Sequence, residues 1–352
     1  QRLRYEPKKL LGEGGIGEVM SVEDHDIGRM AAMKRLRADV RSPAAIARFV
    51  DEIRTVGRLE HPNIIPIHDV GVDEQGELYF VMKYLDGETL ETVLEKLAAG
   101  EVGYHSRYGF ETRMQIFRGL LEAIAFAHAR GVLHRDIKPA NVMIGRYGEV
   151  VLMDWGIAKP IAGEGRSAAD YAAAASEPAG DERARLFETQ VGSLIGTPAY
   201  MAPEQARGEP CDARSEVYSL SVLLHEMLTL HHYLADCTTM SELLEGVGKR
   251  TPQFPTLVKD EHQGTPPADL SWYVMKGLEK DPAKRYQTVA EMLERLDLRA
   301  EGIIPIQCPF TFNRRVTAEW RRFYERHPIV GNLMVLSLVA AFGFLSFRGI
   351  TR

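Results

Sequence analysis

The chain has 352 residues, 45% of them hydrophobic and 26% charged, and a formal net charge of −6. That length can bury a sizeable core and hold two lobes, while the mild acidity excludes a general nucleic-acid binder, whose surface would be strongly basic. Cys211, Cys237 and Cys308 are scattered, with neither a metal-site spacing nor a disulfide framework, so a reducing compartment is the simpler reading. The sequence opens on Gln1, which fits a fragment or a processed form.

Near the N-terminus Gly12, Gly14 and Gly17, followed by Val19, match G-x-G-x-x-G-x-V. Glycines let backbone N–H groups approach phosphates closely, because no Cβ intervenes. Alone the pattern is weak, and a plain glycine-rich hairpin fits it equally well. A dinucleotide-binding turn would need a helix next; instead residues 20–23 read as strand, 24–28 as a turn and 30–36 as a second strand. That second strand carries Ala31-Ala32-Met33-Lys34. Ile46, Phe49, Val50, Ile53, Val56 and Leu59 then recur at helical spacing, with Glu52 on the same helix. Residues 78–82 form another β-rich run, which ends in Lys83, Tyr84, Leu85, Asp86 and Gly87.

The second half begins with an apolar helical stripe of Met114, Phe117, Leu120, Leu121 and Ile124. His128 closes that stripe and reads as a packed or partly exposed helix residue. It leads into His134-Arg135-Asp136-Ile137-Lys138-Pro139-Ala140-Asn141 and, further on, Asp154-Trp155-Gly156. Strand-like apolar runs at 132–133, 142–144 and 150–153 flank both motifs. A hydroxyl nucleophile needs an oriented carboxylate beside it, and a triphosphate needs a divalent ion held by hard oxygen ligands. Asp136 suits the first role, Asn141 and Asp154 the second, and Lys138 can meet negative charge on a transferring group. His-Arg-Asp alone would pass for a surface turn; both motifs in register do not.

Residues 162–185 are rich in Ala, Gly, Glu, Ser and Asp and cannot supply much core, so a flexible insertion is expected there. Gly196-Thr197-Pro198-Ala199-Tyr200-Met201-Ala202-Pro203-Glu204 follows. Residues 217–228 are apolar nearly all round, as in a buried helix. His225, His231 and His232 lack a carboxylate that would complete a metal site. At the C-terminus, residues 329–347 carry no charge for about nineteen positions, close to the length of a membrane-spanning helix. Arg314, Arg315, Arg321, Arg322 and Arg326, with Trp320, Phe323 and Tyr324, crowd its N-terminal side, as cytoplasmic arginines and interfacial aromatics do. A buried core helix is the competing reading of this run.

Together these motifs resemble eukaryotic-type (Hanks-type) serine/threonine protein kinases, in particular the bacterial membrane-anchored ones. The resemblance implies an α+β bilobal kinase fold over residues 5–298, with an N-lobe of about 5–82 and a C-lobe of about 86–298. A basic linker at 299–328 and a transmembrane helix at 329–347 would follow, leaving the kinase domain in the cytoplasm at the inner membrane. In such proteins an external sensor usually follows the helix. It implies ATP and Mg²⁺, with Mn²⁺ as a substitute, and protein substrates bearing Ser or Thr; a homodimer is compatible with it.

Carried over residue by residue, the resemblance makes Asp136 the group that takes the hydroxyl proton, with Lys138 beside it, and Asn141 and Asp154 the metal ligands. Lys34 would contact the α/β-phosphates and pair with Glu52 under the Gly12, Gly14 and Gly17 loop. Val19 and Ala32 would roof the adenine, Met143 floor it, Met82 act as gatekeeper, and backbone groups near Lys83 and Leu85 bond it. Each of these apolar residues is also consistent with plain core. Glu204 would bridge to Arg285 as a structural pair, and Thr189 and Ser193 fall where phosphosites occur, within reach of Arg135. Lys138 and Thr197 point to the serine/threonine branch.

Three positions depart from the pattern. Trp155 replaces Phe. Glu216 replaces the Asp that braces the catalytic loop, so its extra methylene is expected to shift Asp136. Ser221 replaces Gly, which implies looser local packing. The alternative function is an ATP-binding pseudokinase acting as a membrane-tethered scaffold, favoured only by Trp155 and Glu216.

Overall fold

The computed structural model describes residues 4–14, 17–40, 42–155, 159–160, 198–303, 309–330 and 332–334. The chain starts with three strands, β1 (Tyr5–Glu13), β2 (Gly17–Asp24) and β3 (Arg29–Leu36), then helix α1 (Pro43–Val56) and strands β4 (Ile67–Val72) and β5 (Leu78–Lys83). These strands form one antiparallel sheet in the order β1-β2-β3-β5-β4. Strand alternation sends Ala32 and Lys34 of β3 to the same face, where they stand opposite Met82 and Phe80 of β5. Ser42 caps α1 by accepting from the Ala45 N–H, and Pro43 occupies its first turn, where a missing N–H costs nothing. Phe49 of α1 is fully buried against Phe80, with ring centroids 5.4 Å apart. That anchor fixes the rotation of α1 and so places Glu52, one helical turn on, under β3.

The second lobe is mainly helical. After a short strand β6 (Gly87–Thr89) come α2 (Leu90–Ala98), α3 (Tyr104–Arg107) and α4 (Phe110–His128), then strands β7 (Val132–Leu133), β8 (Val142–Gly145), β9 (Val150–Leu152) and β10 (Lys159–Pro160). Beyond the undescribed stretch lie α5 (Pro203–Ala206), α6 (Ala213–Thr229), α7 (Met240–Lys249), α8 (Ala268–Gly277), α9 (Val289–Ala300) and α10 (Pro309–Arg326). Helix α6 is buried along nearly its whole length, as its all-round apolar sequence requires. It starts on an Asp212 cap and ends at Leu230, whose φ of 60° stops the helix in the left-handed region. Around it pack α4, α8 and α9 in one large core that also takes in Trp155.

Ser221 corrects the expectation of loose packing. It is fully buried, and its hydroxyl donates to the Val217 carbonyl at 2.7 Å. A Cβ on Gly277 of α8 would lie 1.9 Å from the Ser221 Oγ, so a glycine across the interface makes room for the added hydroxyl. The described part of the C-terminal run stops at Met334, so the expected helix at 329–347 lies mostly outside the described residues. Among the described residues no helix is long and apolar enough to cross a membrane.

Candidate active site

Lys34 and Glu52 come together first. The ammonium lies 2.6 Å from Glu52 Oε1 and 3.3 Å from Asp154 Oδ1, linking β3, α1 and the loop after β9. Burial works against the Lys34 charge, but Asp154 and Glu52 together carry its pKa above the ordinary lysine value. Burial also opposes ionisation of Asp154, yet Lys34, His134 and Lys138 hold its carboxyl below the usual aspartate range. Both groups therefore stay charged through the neutral range.

The turn after β7 supplies the second cluster. Asp136 Oδ2 sits 2.8 Å from Lys138 Nζ and accepts from Asn141 Nδ2 at 3.0 Å. The same amide also donates to the Asp136 carbonyl at 2.8 Å, which locks the loop across five residues. With its nitrogen committed, Asn141 keeps Oδ1 as the atom suited to a metal. His134 is fully buried; its Nε2 bonds the Met153 carbonyl at 3.0 Å and its Nδ1 accepts from the Asp136 N–H at 3.2 Å. This pattern assigns the proton to Nε2. Trp155 stacks edge-on against His134 at 4.5 Å, so the bulky replacement is accommodated in the core.

Glu216 reaches two partners. Its Oε1 accepts from the Arg135 N–H at 2.6 Å, at a residue held with φ of 71°, and its Oε2 lies 2.6 Å from His128 Nε2. The longer acid thus spans two partners, and His128 at the end of α4 takes up the added reach. His128 is the partner of Glu216 that sequence reasoning missed. The signal was there: a histidine six residues before His134, in a chain whose bracing acid is one methylene longer than usual.

The glycine loop divides by cause. A Cβ on Gly17 would lie 2.9 Å from the Arg35 carbonyl, so the sheet itself demands glycine there. At Gly12 no atom lies within 4 Å of such a Cβ, and at Gly14 only the Gly17 carbonyl, at 3.7 Å. Those two positions leave open space beside their backbone, as a cradle for phosphate requires.

Ala32 and Met82 face each other across β3 and β5, Val19 pairs with Lys34, and Met143 lies half-buried on β8. At the hinge, Lys83 donates its N–H to the Pro66 carbonyl at 3.2 Å, so of its backbone groups the carbonyl is the one suited to a base. Leu85 packs half-buried on the C-lobe core.

Glu204 and Arg285 form a two-pronged bridge at 2.6 and 2.9 Å, with both side chains almost wholly buried. Ser215 adds a bond to Glu204 at 2.8 Å, and the guanidinium also reaches the carbonyls of Glu279, Lys280 and Arg214. Burial opposes the Glu204 charge, but Arg285 pulls its pKa below the ordinary value. Tyr200 donates to Glu226, whose carboxyl burial pushes up to about 7. Thr189, Ser193 and Thr197 lie outside the described residues.

Comparison with known proteins agrees with this geometry. The protein kinase domain family model matches residues 5–295. The chain belongs to the protein kinase family. It is 37% identical over 303 residues to a probable serine/threonine-protein kinase of Streptomyces coelicolor, covering 84% of this chain and 40% of that protein. It is 32% identical over 321 residues to the serine/threonine-protein kinase PknD of Protochlamydia amoebophila, covering 90% and 32%. Against PknB of Mycobacterium tuberculosis the figure is 37% over 301 residues, covering 84% and 42%. The chain thus spans less than half the length of these curated relatives. The matched kinase domain carries the lysine–glutamate pair, the Asp136 loop and the Asp154 turn.

Proposed function

We propose that this kinase domain transfers the γ-phosphoryl group of ATP to serine or threonine hydroxyls of proteins. The observation that carries the reading is the pair of clusters, Lys34–Glu52–Asp154 and Asp136–Lys138–Asn141, drawn from four separate segments of chain. Asp136 engages Lys138 and Asn141 through Oδ2, which leaves Oδ1 to orient a substrate hydroxyl and receive its proton. Lys138 is placed to meet charge on the group in transfer. Asn141 Oδ1 and the Asp154 carboxylate are hard oxygen donors that suit Mg²⁺, or Mn²⁺ in its place. When bound, such an ion neutralises the phosphates; Lys34, held by Glu52, would steady the α- and β-phosphates beneath Gly12 and Gly14.

Membrane anchoring and signalling belong to the same reading. The uncharged run at 329–347 behind an arginine-rich segment supports a single span with the kinase domain on the cytoplasmic side. Phosphorylation at Thr189 or Ser193, with Arg135 as the receiving cation, would order the activation segment. The test is transfer of labelled phosphate to peptides that differ only in carrying Ser, Thr or Tyr, with Mg²⁺ or Mn²⁺. Incorporation on Ser and Thr, at least about tenfold above Tyr, is the expected result; ATP binding without transfer would replace it with the scaffold reading.

A further inference from the structure

Helix α10 carries an apolar face that the fold leaves uncovered. Phe312, Val316, Trp320 and Phe323 follow one another at steps of four, four and three residues, which stacks them along one side. They keep 49, 50, 39 and 36% of their surface exposed. Trp320 packs on Phe323 at 5.9 Å and Phe323 on His327 at 5.3 Å, so the stripe is continuous. By the same helical period Arg321 falls on the opposite side, while Arg322 and Arg326 flank the stripe, and the helix carries five arginines against the glutamates at 319 and 325. On one flank Arg322 donates to the Gly302 carbonyl just beyond α9, at 2.9 Å. That flank is tied to the domain, and the aromatic stripe is left open.

We propose that α10 lies flat in the headgroup layer of an anionic bilayer, with Phe312, Val316, Trp320 and Phe323 inserted among the acyl-chain ends. A helix of low overall hydrophobicity, whose aromatic stripe is flanked by arginines, gains both apolar burial and attraction to lipid phosphates there. Charge selects this occupant over a second copy of the chain. A parallel pair of α10 helices would set one arginine cluster beside another, whereas an anionic surface neutralises both. Continuity agrees, since the uncharged run at 329–347 begins three residues after α10 ends. The inference rests on the membrane reading for the position of the bilayer, but it concerns a contact of its own.

The test uses the full chain carrying W272F, reconstituted in vesicles with brominated acyl chains. The lipid is phosphatidylcholine alone or mixed with phosphatidylglycerol. Trp155 is buried in the domain, so quenching reports Trp320. Quenching that requires the anionic lipid, vanishes in W320F, and drops about fivefold or more in R321Q/R326Q or in 1 M salt is the expected result. Alkaline carbonate extraction separates the two readings. A chain lost on extraction but quenched beforehand keeps this proposal and removes the span. A chain retained with Trp320 unquenched keeps the span and overturns the proposal. Equal quenching on both lipids, or an unquenched Trp320 with concentration-dependent dimers, also overturns it.

Discussion

At the scale of single residues, the chemistry hangs on short contacts that hold charged groups at fixed points. Glu216 is the most informative of them, because one carboxylate ties the Arg135 backbone to His128 at 2.6 Å on each side. Shortening it restores the usual acid but withdraws it from one partner. Glu216→Asp is therefore expected to lower kcat about three- to tenfold with little change in the KM for ATP, measured by steady-state phosphate transfer. His128→Ala leaves a buried carboxylate oxygen unpartnered and should cost about 1–3 kcal/mol in denaturant unfolding. A faster Glu216→Asp enzyme would show that the glutamate is a defect and not half of a matched pair. The sequence made Asp136, Asn141, Asp154, Lys34 and Glu52 readable because each sits in a motif of fixed spacing. His128 was not readable, since its partner lies 88 positions away and only folding joins them.

At the scale of elements, the two lobes place the clusters by different means. In the N-lobe, the β2–β3 register sets Val19 opposite Lys34, and the Phe49 anchor sets the rotation of α1. The strand–turn–strand pattern and the helical stripe were legible because their periods differ. The end of α1 was not: Leu59 continues the stripe, yet the helix stops at Val56 and Leu59 is buried from the following turn. Packing, not periodicity, decides that boundary. The glycine loop offers a test at this scale. Gly17→Ala meets the Arg35 carbonyl at 2.9 Å and should lower stability by about 1–3 kcal/mol, whereas Gly12→Ala meets nothing and should leave the melting temperature unchanged. Any loss in Gly12→Ala should appear instead as weaker ATP binding in titration calorimetry. Equal destabilisation by both would show that the loop is structural throughout.

At the scale of the whole molecule, buried acids on the C-lobe link stability to pH in opposite directions. Glu204 is held below its ordinary pKa beside Arg285, so its stabilising contribution is present above about pH 4.5 and is lost as the pH falls through the folded value. Glu226 is the reverse. Its folded pKa of about 7 lies above the unfolded value, so the unfolded state loses its proton first and stability declines from about pH 4.5 to 7. Glu226→Gln keeps an acceptor for Tyr200 and should flatten that decline in urea unfolding across the same window. An unchanged slope would mean that Glu226 ionises normally in the folded protein. The bilobal architecture itself was legible from motif order alone. The compensation of Ser221 by Gly277 was not, because it depends on two helices meeting 56 residues apart in sequence.

The central claim is that Asp136 directs phosphate transfer from ATP to a hydroxyl. The most direct measurement incubates the full chain and its Asp136→Asn variant with ATP and Mg²⁺, then locates phosphate by mass spectrometry, with ATP affinity measured in parallel. Phosphate on Ser or Thr in the parent, and its loss by about a thousandfold in a variant that still binds ATP, is the predicted result. Equal phosphate in both proteins, or none in a parent that binds ATP tightly, would contradict it.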